Sequence, residues 1–150
     1  MRLGASFRET MSGSYWLLDA PVDERAIAVA LEATAGDVRE LVRERVWRVA
    51  GTIDAEHLAS GRPLRGTLGL HLVDERRLPY RFHFAADDGG RYELSGQKEW
   101  SWLSPIESMT LLPATLYDGR GEEVGRATLR FDWRADWASW VRSIRLRLSR

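Results

Sequence analysis

Between Leu64 and Leu116 apolar and polar residues alternate one by one, interrupted by short Gly/Asp turns. Leu78, Tyr80, Phe82 and Phe84 fall on one parity, and Arg81 and His83 on the other. Successive side chains of a strand point to opposite faces, so this is the pattern of a strand with one buried and one wet face. Repeated along the chain, it predicts an all-β antiparallel protein with its large apolar groups inside.

Eight strands are expected. Over 7–15, Phe7, Met11 and Tyr15 oppose Arg8, Thr10 and Ser14, and Glu9 and Gly13 share the apolar parity. Over 25–34, Ile27, Val29 and Leu31 oppose Ala26, Ala28 and Ala30. A helix is the rival reading there because alanine favours helix, but the β-branched alternation favours strand. Further strands cover 46–54, with Trp47, Val49, Gly51 and Ile53 inward, and 64–73, with Leu64, Leu68, Leu70 and Leu72 inward. The rest cover 78–85, 92–98, 108–117 and 124–133. Leu18–Glu24, His57–Pro63 and Trp100–Glu107 read as loops. Pro113 inside the seventh strand points to an edge or a bulge.

Two helices complete the pattern. One or two turns over Asp37–Arg45, after the second strand, carry Val38, Leu41 and Val42 at helical spacing, with Asp37 as cap. A C-terminal helix covers Asp136–Leu146, where Trp137, Trp140, Val141 and Ile144 recur at three and four.

Turn chemistry sets some of the register. Asp87-Asp88-Gly89 fits a three-residue hairpin loop with Gly89 in the left-handed position. It pairs Phe84 with Tyr92 and Phe82 with Leu94, and sets Tyr80 opposite Gly96. A two-residue Asp88-Gly89 turn would slip the register by one and break this match of apolar parity. Asp118-Gly119-Arg120-Gly121 is a second hairpin turn. Strands in near-meander order with short turns predict a lipocalin-like barrel, closed or nearly so, as one domain over 1–150. The alternative is a two-sheet sandwich, which the pattern does not separate from a barrel.

Charge narrows the function classes. The chain has 22 basic and 22 acidic residues, so the basic footprint of a nucleic-acid binder is absent from the whole. Arg142, Arg145, Arg147 and Arg150 make the end of the sequence locally basic, as a solvated face does. Cysteine is absent, which removes disulfides, thiolate nucleophiles and Cys-ligated metals. No apolar h-region follows Arg2, Arg8 and Glu9, and no run of apolar residues reaches membrane-span length. A cytoplasmic protein is the expectation.

Catalytic and metal motifs are not visible. The histidines, His57, His71 and His83, lack the spacing of a zinc pair. With Leu70 opposite Tyr80, His71 faces Pro79 and His83 faces Thr67, both outward and too far apart to share a metal. No nucleophile elbow or Walker loop is present. Asp87 and Asp88 belong to a hairpin tip, and no cofactor is expected.

Two charges stand out instead. Glu9 and Lys98, the latter the single lysine among the basic residues, fall on the apolar parity of their strands. A buried charge is costly unless paired. Either both lie near strand ends, with the lysine stem snorkelling to water, or both point inward and meet each other or the polar head of a ligand. The aromatics Trp47, Tyr80, Phe82, Phe84, Tyr92, Trp100 and Trp102, with Leu94, are the candidate lining of an apolar pocket. They serve equally as a filled core.

Several short motifs carry a resemblance. Phe7-Arg8-Glu9-Thr10-Met11-Ser12-Gly13 opens it, Gly90-Arg91-Tyr92-Glu93-Leu94-Ser95-Gly96-Gln97-Lys98 follows, and Thr110-Leu111-Leu112 and Gly125-Arg126-Ala127-Thr128-Leu129 come later. Together they resemble a β-rich accessory region attached to some bacterial cholesterol-oxidase-like (GMC-type) flavoproteins and related lipid-active hydrolases. Where that region has a threonine-rich strand, this chain reads Glu107-Ser108-Met109-Thr110-Leu111. It has neither a flavin-binding glycine motif nor a hydrolase nucleophile. The resemblance therefore implies the accessory module standing alone, in a lipid or steroid context, with Gly96 and Lys98 matching its motif.

The leading expectation is a non-enzymatic module that binds a lipid or sterol-like molecule in its apolar interior. The site would be Glu9, Trp47, Tyr80, Phe82, Phe84, Tyr92, Leu94, Gly96, Lys98 and Trp100. A second is a solid barrel docking on a partner protein or a second copy through Trp137 and Trp140. A third is an enzyme of unrecognised type, which an internal acid with a shifted pKa would favour.

Overall fold

The computed structural model describes residues 2–35, 43, 46–69, 77–99, 111–130 and 145–149. They form nine strands: β1 (Arg2–Leu17), β2 (Ala20–Ala35), β3 (Val46–Ala55), β4 (Ala59–Gly69), β5 (Arg77–Ala85), β6 (Arg91–Glu99), β7 (Leu111–Asp118), β8 (Glu123–Arg130) and β9 (Arg145–Ser149). Each of β1 to β7 pairs antiparallel with the next, and β1 pairs with both β2 and β8. That last pairing closes the ring, so the molecule is an eight-stranded meander barrel rather than an open sandwich.

β9 extends the wall rather than adding to the ring. β8 runs along Leu17–Ser12 of β1, and β9 runs in the same direction along Ser6–Arg2. Together they behave as one long strand interrupted by residues 131–144. Following register partners from Glu9 through Leu31, Gly51, Leu64, Phe84, Tyr92 and Asp118 ends near the far end of β1. Such stagger is what tilts the strands of a closed barrel.

The two ends of the barrel differ. At one end lie the four tight turns after β1, β3, β5 and β7. The longer connections, 36–45, 70–76, 100–110 and 131–144, all leave from the other. The turns are stitched together: Asp87 N–H donates to the Leu58 carbonyl at 3.0 Å, and Ser60 N–H to Asp87 Oδ1 at 3.0 Å. Glu56 N–H donates to the Ala26 carbonyl at 2.9 Å, and the Tyr15 hydroxyl donates to the carbonyl of Glu56. Inside, a single cluster runs through Met11, Tyr15, Val29, Ile53, Leu64, Phe82, Leu94, Leu112 and Leu129.

Proline and glycine positions show how the sequence bends this wall. Pro63 and Pro79 each sit one residue beyond the β4–β5 ladder, and Pro113 one residue beyond the β6–β7 ladder. Pro21 lies where the β1–β2 register shifts, before β2 meets β3. At such ladder ends a missing N–H forfeits no hydrogen bond. A Cβ on Gly13, Gly51 or Gly66 would run into the carbonyl oxygens of Thr128, Ala30 and Arg81 respectively, so neighbouring strands approach where only glycine fits.

The predicted strands are all present, most of them longer than expected. The three-residue hairpin is borne out: Phe84 pairs with Tyr92, Phe82 with Leu94, and Tyr80 with Gly96, with Gly89 at φ 87. Several expectations are corrected. Ala20–Glu24 and Ala59–Pro63 are strand, not loop. Leu68 rather than Leu70 faces Tyr80, and His83 faces Arg65 rather than Thr67. This shift of two preserves parity, so His83 stays exposed, as does His57. Neither helix is borne out as an element of the described residues, of which Arg43 alone is helical. The first falls outside them except for Arg43, and 136–144 of the second lie outside them too. Arg145 and Leu146, expected at that helix's end, pair with Ser6 and Ala5 as strand.

Candidate functional site

Glu9 is the one buried charged residue among those described, 7% exposed. Its strand begins seven residues earlier, at Arg2, so it does not sit at a strand end. Its inward parity, shared with Met11 and Tyr15, aims it into the lumen. On the opposite wall, β5 stands four strands from β1 in either direction, and there Tyr80 is 3% exposed. The two meet: Tyr80 Oη donates to Glu9 Oε2 at 2.9 Å.

The surroundings of the pair are apolar. Tyr80 lies between Leu68 of β4 and Gly96 of β6, and its ring meets Phe82 edge-on at 5.6 Å. Glu9 lies opposite Leu31. Burial, then the charge of Glu9 and the hydrogen bond to it, push the Tyr80 phenol well above its usual range. The proton therefore stays on Tyr80, and the pair is a phenol donating to an accepting carboxylate.

Other expected site residues divide by height in the barrel. Phe84 and Tyr92 stack at 5.8 Å and, with Tyr15, floor the interior on the side of the tight turns. Phe82 and Leu94 are buried between that floor and the pair, at 0% and 1% exposure. Trp47, opposite Leu68, is half-buried against the core on the side of the long connections. Gly96 has a packing reason: a Cβ there would lie 3.0 Å from Cα of Ala114 and closer still to the Pro113 carbonyl. Lys98 pairs with Leu78 in the sheet, but its side chain, like Trp100, Trp102, Trp137 and Trp140, lies outside the described residues.

Sequence reading missed two features. The phenol of Tyr15 is a second buried hydroxyl, raised by burial against the opposing pull of Arg25. Its signal was the parity of β1, but its partner Glu56 lies in a turn. The other feature is on the outer surface, a depression of about 820 Å³ over β1–β4, where Arg8, Arg48 and Arg65 rise around Ala30 and Ala50. Arg8 there is paired with Glu32 at 3.5 Å.

Among the described residues no three His, Cys, Asp or Glu side chains gather as a metal site, and no helix is long and apolar enough to cross a membrane. Comparison with protein-family models, curated proteins and solved structures finds no match.

Proposed function

We propose that the protein is a non-enzymatic, cytoplasmic binding module for a hydrophobic small molecule, lipid or sterol-like. The ligand enters from the side of the long connections, past Trp47, and sets its polar head at Glu9 and Tyr80. The observation that carries this reading is the carboxylate–phenol pair in the middle of an apolar lumen. A barrel core is completed by apolar side chains alone, and a buried carboxyl group is costly to desolvate. A polar head group gives such a pair something to recognise.

Two further points support the reading. An eight-stranded barrel, as in lipocalins, has an interior sized for side chains or for one small ligand. Ligand sites are also mostly apolar with a few placed polar groups. The resemblance of the Phe7–Gly13 and Gly90–Lys98 segments to the accessory region of lipid-active enzymes favours a lipid or steroid as occupant.

The test is a titration with retinol and with a fluorescent sterol, followed by tryptophan quenching and probe emission. Saturable one-to-one binding in the micromolar range or tighter is expected. Absence of saturable binding for both probes would overturn the reading.

A further inference from the structure

We infer that the outer face of β1–β4 is a docking surface for an acidic, extended segment of a partner protein, one that carries carboxylates on alternate residues. This face lies on the other side of the wall from the lumen, and the inference is independent of the binding reading above.

Register and parity build the surface. Side chains alternate across the wall, so Arg8, Glu32, Ala50 and Arg65 make one outward row across β1, β2, β3 and β4. Arg48 stands in the next row, paired with Thr34 and Thr67 and diagonal to Arg65. Ala30 and Ala50 carry only methyl groups, so the arginines rim a depression of about 820 Å³ with a low floor.

Charge selects the partner. Three guanidiniums and one carboxylate point outward here, and that carboxylate, Glu32, already pairs with Arg8 at 3.5 Å. Arg48 and Arg65 are exposed and form no ion pair with a described residue. A guanidinium takes a carboxylate through two parallel hydrogen bonds.

Spacing selects an extended chain. Diagonal neighbours on adjacent strands are about 7–8 Å apart, and same-face side chains of an extended chain about 7 Å. Carboxylates at i and i+2 therefore reach Arg48 and Arg65 together. Arg65 and Arg8 are three strands apart, roughly 14 Å, which is the span from i to i+4. An oligonucleotide fits less well. Glu32 in the middle of the row repels a chain charged at every unit, and none of the described residues lining the depression is aromatic, so no base can stack there.

The experiment is fluorescence anisotropy with a fluorescein-labelled Glu-Thr repeat peptide and a labelled oligothymidylate of equal charge. Saturable peptide binding is expected at an ionic strength of about 0.01 M, weakening several-fold at about 0.15 M. Arg48→Gln/Arg65→Gln is expected to bind the peptide about fivefold more weakly or worse. Both side chains are exposed, so the variant keeps its fold, which an unchanged thermal midpoint verifies. Arg91→Gln/Arg120→Gln removes the same charge from exposed positions at the tight-turn end and is expected to bind like the native protein. Absence of peptide binding, undiminished affinity in Arg48→Gln/Arg65→Gln, an equal loss in both double variants, or tighter binding of the oligothymidylate than of the peptide would each overturn the inference.

Discussion

Tyr80 of β5 and Glu9 of β1 face each other across the whole width of the barrel, and the phenol donates to the carboxylate at 2.9 Å. They are far apart in sequence and on opposite walls, so the bond forms only when the ring of strands is closed. It ties the fold to the proposed site, because the same two groups brace the lumen and present its polar chemistry.

Removing one partner should therefore cost more than removing both. Tyr80→Phe takes the donor from a buried carboxylate and is expected to destabilise by about 1–3 kcal/mol. The double variant Glu9→Leu/Tyr80→Phe removes both polar partners together and is expected to recover part of that loss. Urea unfolding of the four species measures the coupling. Strictly additive losses would mean that the bond contributes nothing.

The raised phenols give a pH dependence with a definite sign. A tyrosine whose folded pKa exceeds its unfolded value stabilises fully below the unfolded value, about 10, and less as pH rises above it. Tyr80 is raised by burial and by Glu9, and Tyr15 by burial. Stability is expected to fall above pH of about 10, with a smaller fall in Tyr80→Phe. Denaturation midpoints across the alkaline range check this. Midpoints with the same slope in both proteins would contradict it.

Glycines of two kinds should respond differently. In Gly51→Ala and Gly66→Ala the new methyl meets the backbone carbonyl of a neighbouring strand, which a flexible side chain cannot relieve. A loss above about 3 kcal/mol, or failure to fold, is expected. Gly89 has open space around it but φ of 87, so Gly89→Ala should cost only about 1–2 kcal/mol for the left-handed backbone. Thermal unfolding of the three variants ranks them.

The core should show its depth in the same way. Phe82→Ala removes a ring at 0% exposure and is expected to cost about 3–5 kcal/mol. Val22→Thr, at a position 96% exposed, should stay within about 0.5 kcal/mol.

Much of this was legible in the sequence because period-two alternation reports a half-buried wall directly. The eight strands, the inward parity of Glu9 and the Phe84–Tyr92 hairpin register all followed from it. What was lost depends on long-range pairing. Ala59–Pro63 carries Gly61 and Pro63 and looks like a loop, yet pairing with β3 holds it as strand. Pro21 suggests a break, but it falls where a register shift tolerates it. Arg145 and Leu146 continue the helical spacing of Trp137 to Ile144, and the edge of β1 makes them strand instead. The two-residue slip against Tyr80 kept parity, so no local pattern betrayed it. That Glu9 would meet Tyr80 depended on barrel closure, which no single segment encodes.

The central claim is that this interior holds a small apolar molecule. Native mass spectrometry of the freshly purified protein, followed by organic extraction, tests it most directly. A discrete added mass that extracts as a lipid or sterol-like molecule is expected, or, if the protein is isolated empty, uptake of one equivalent of octadecan-1-ol. A clean apo mass that no such probe changes would contradict it, and would leave the Glu9–Tyr80 pair as a brace within a filled barrel.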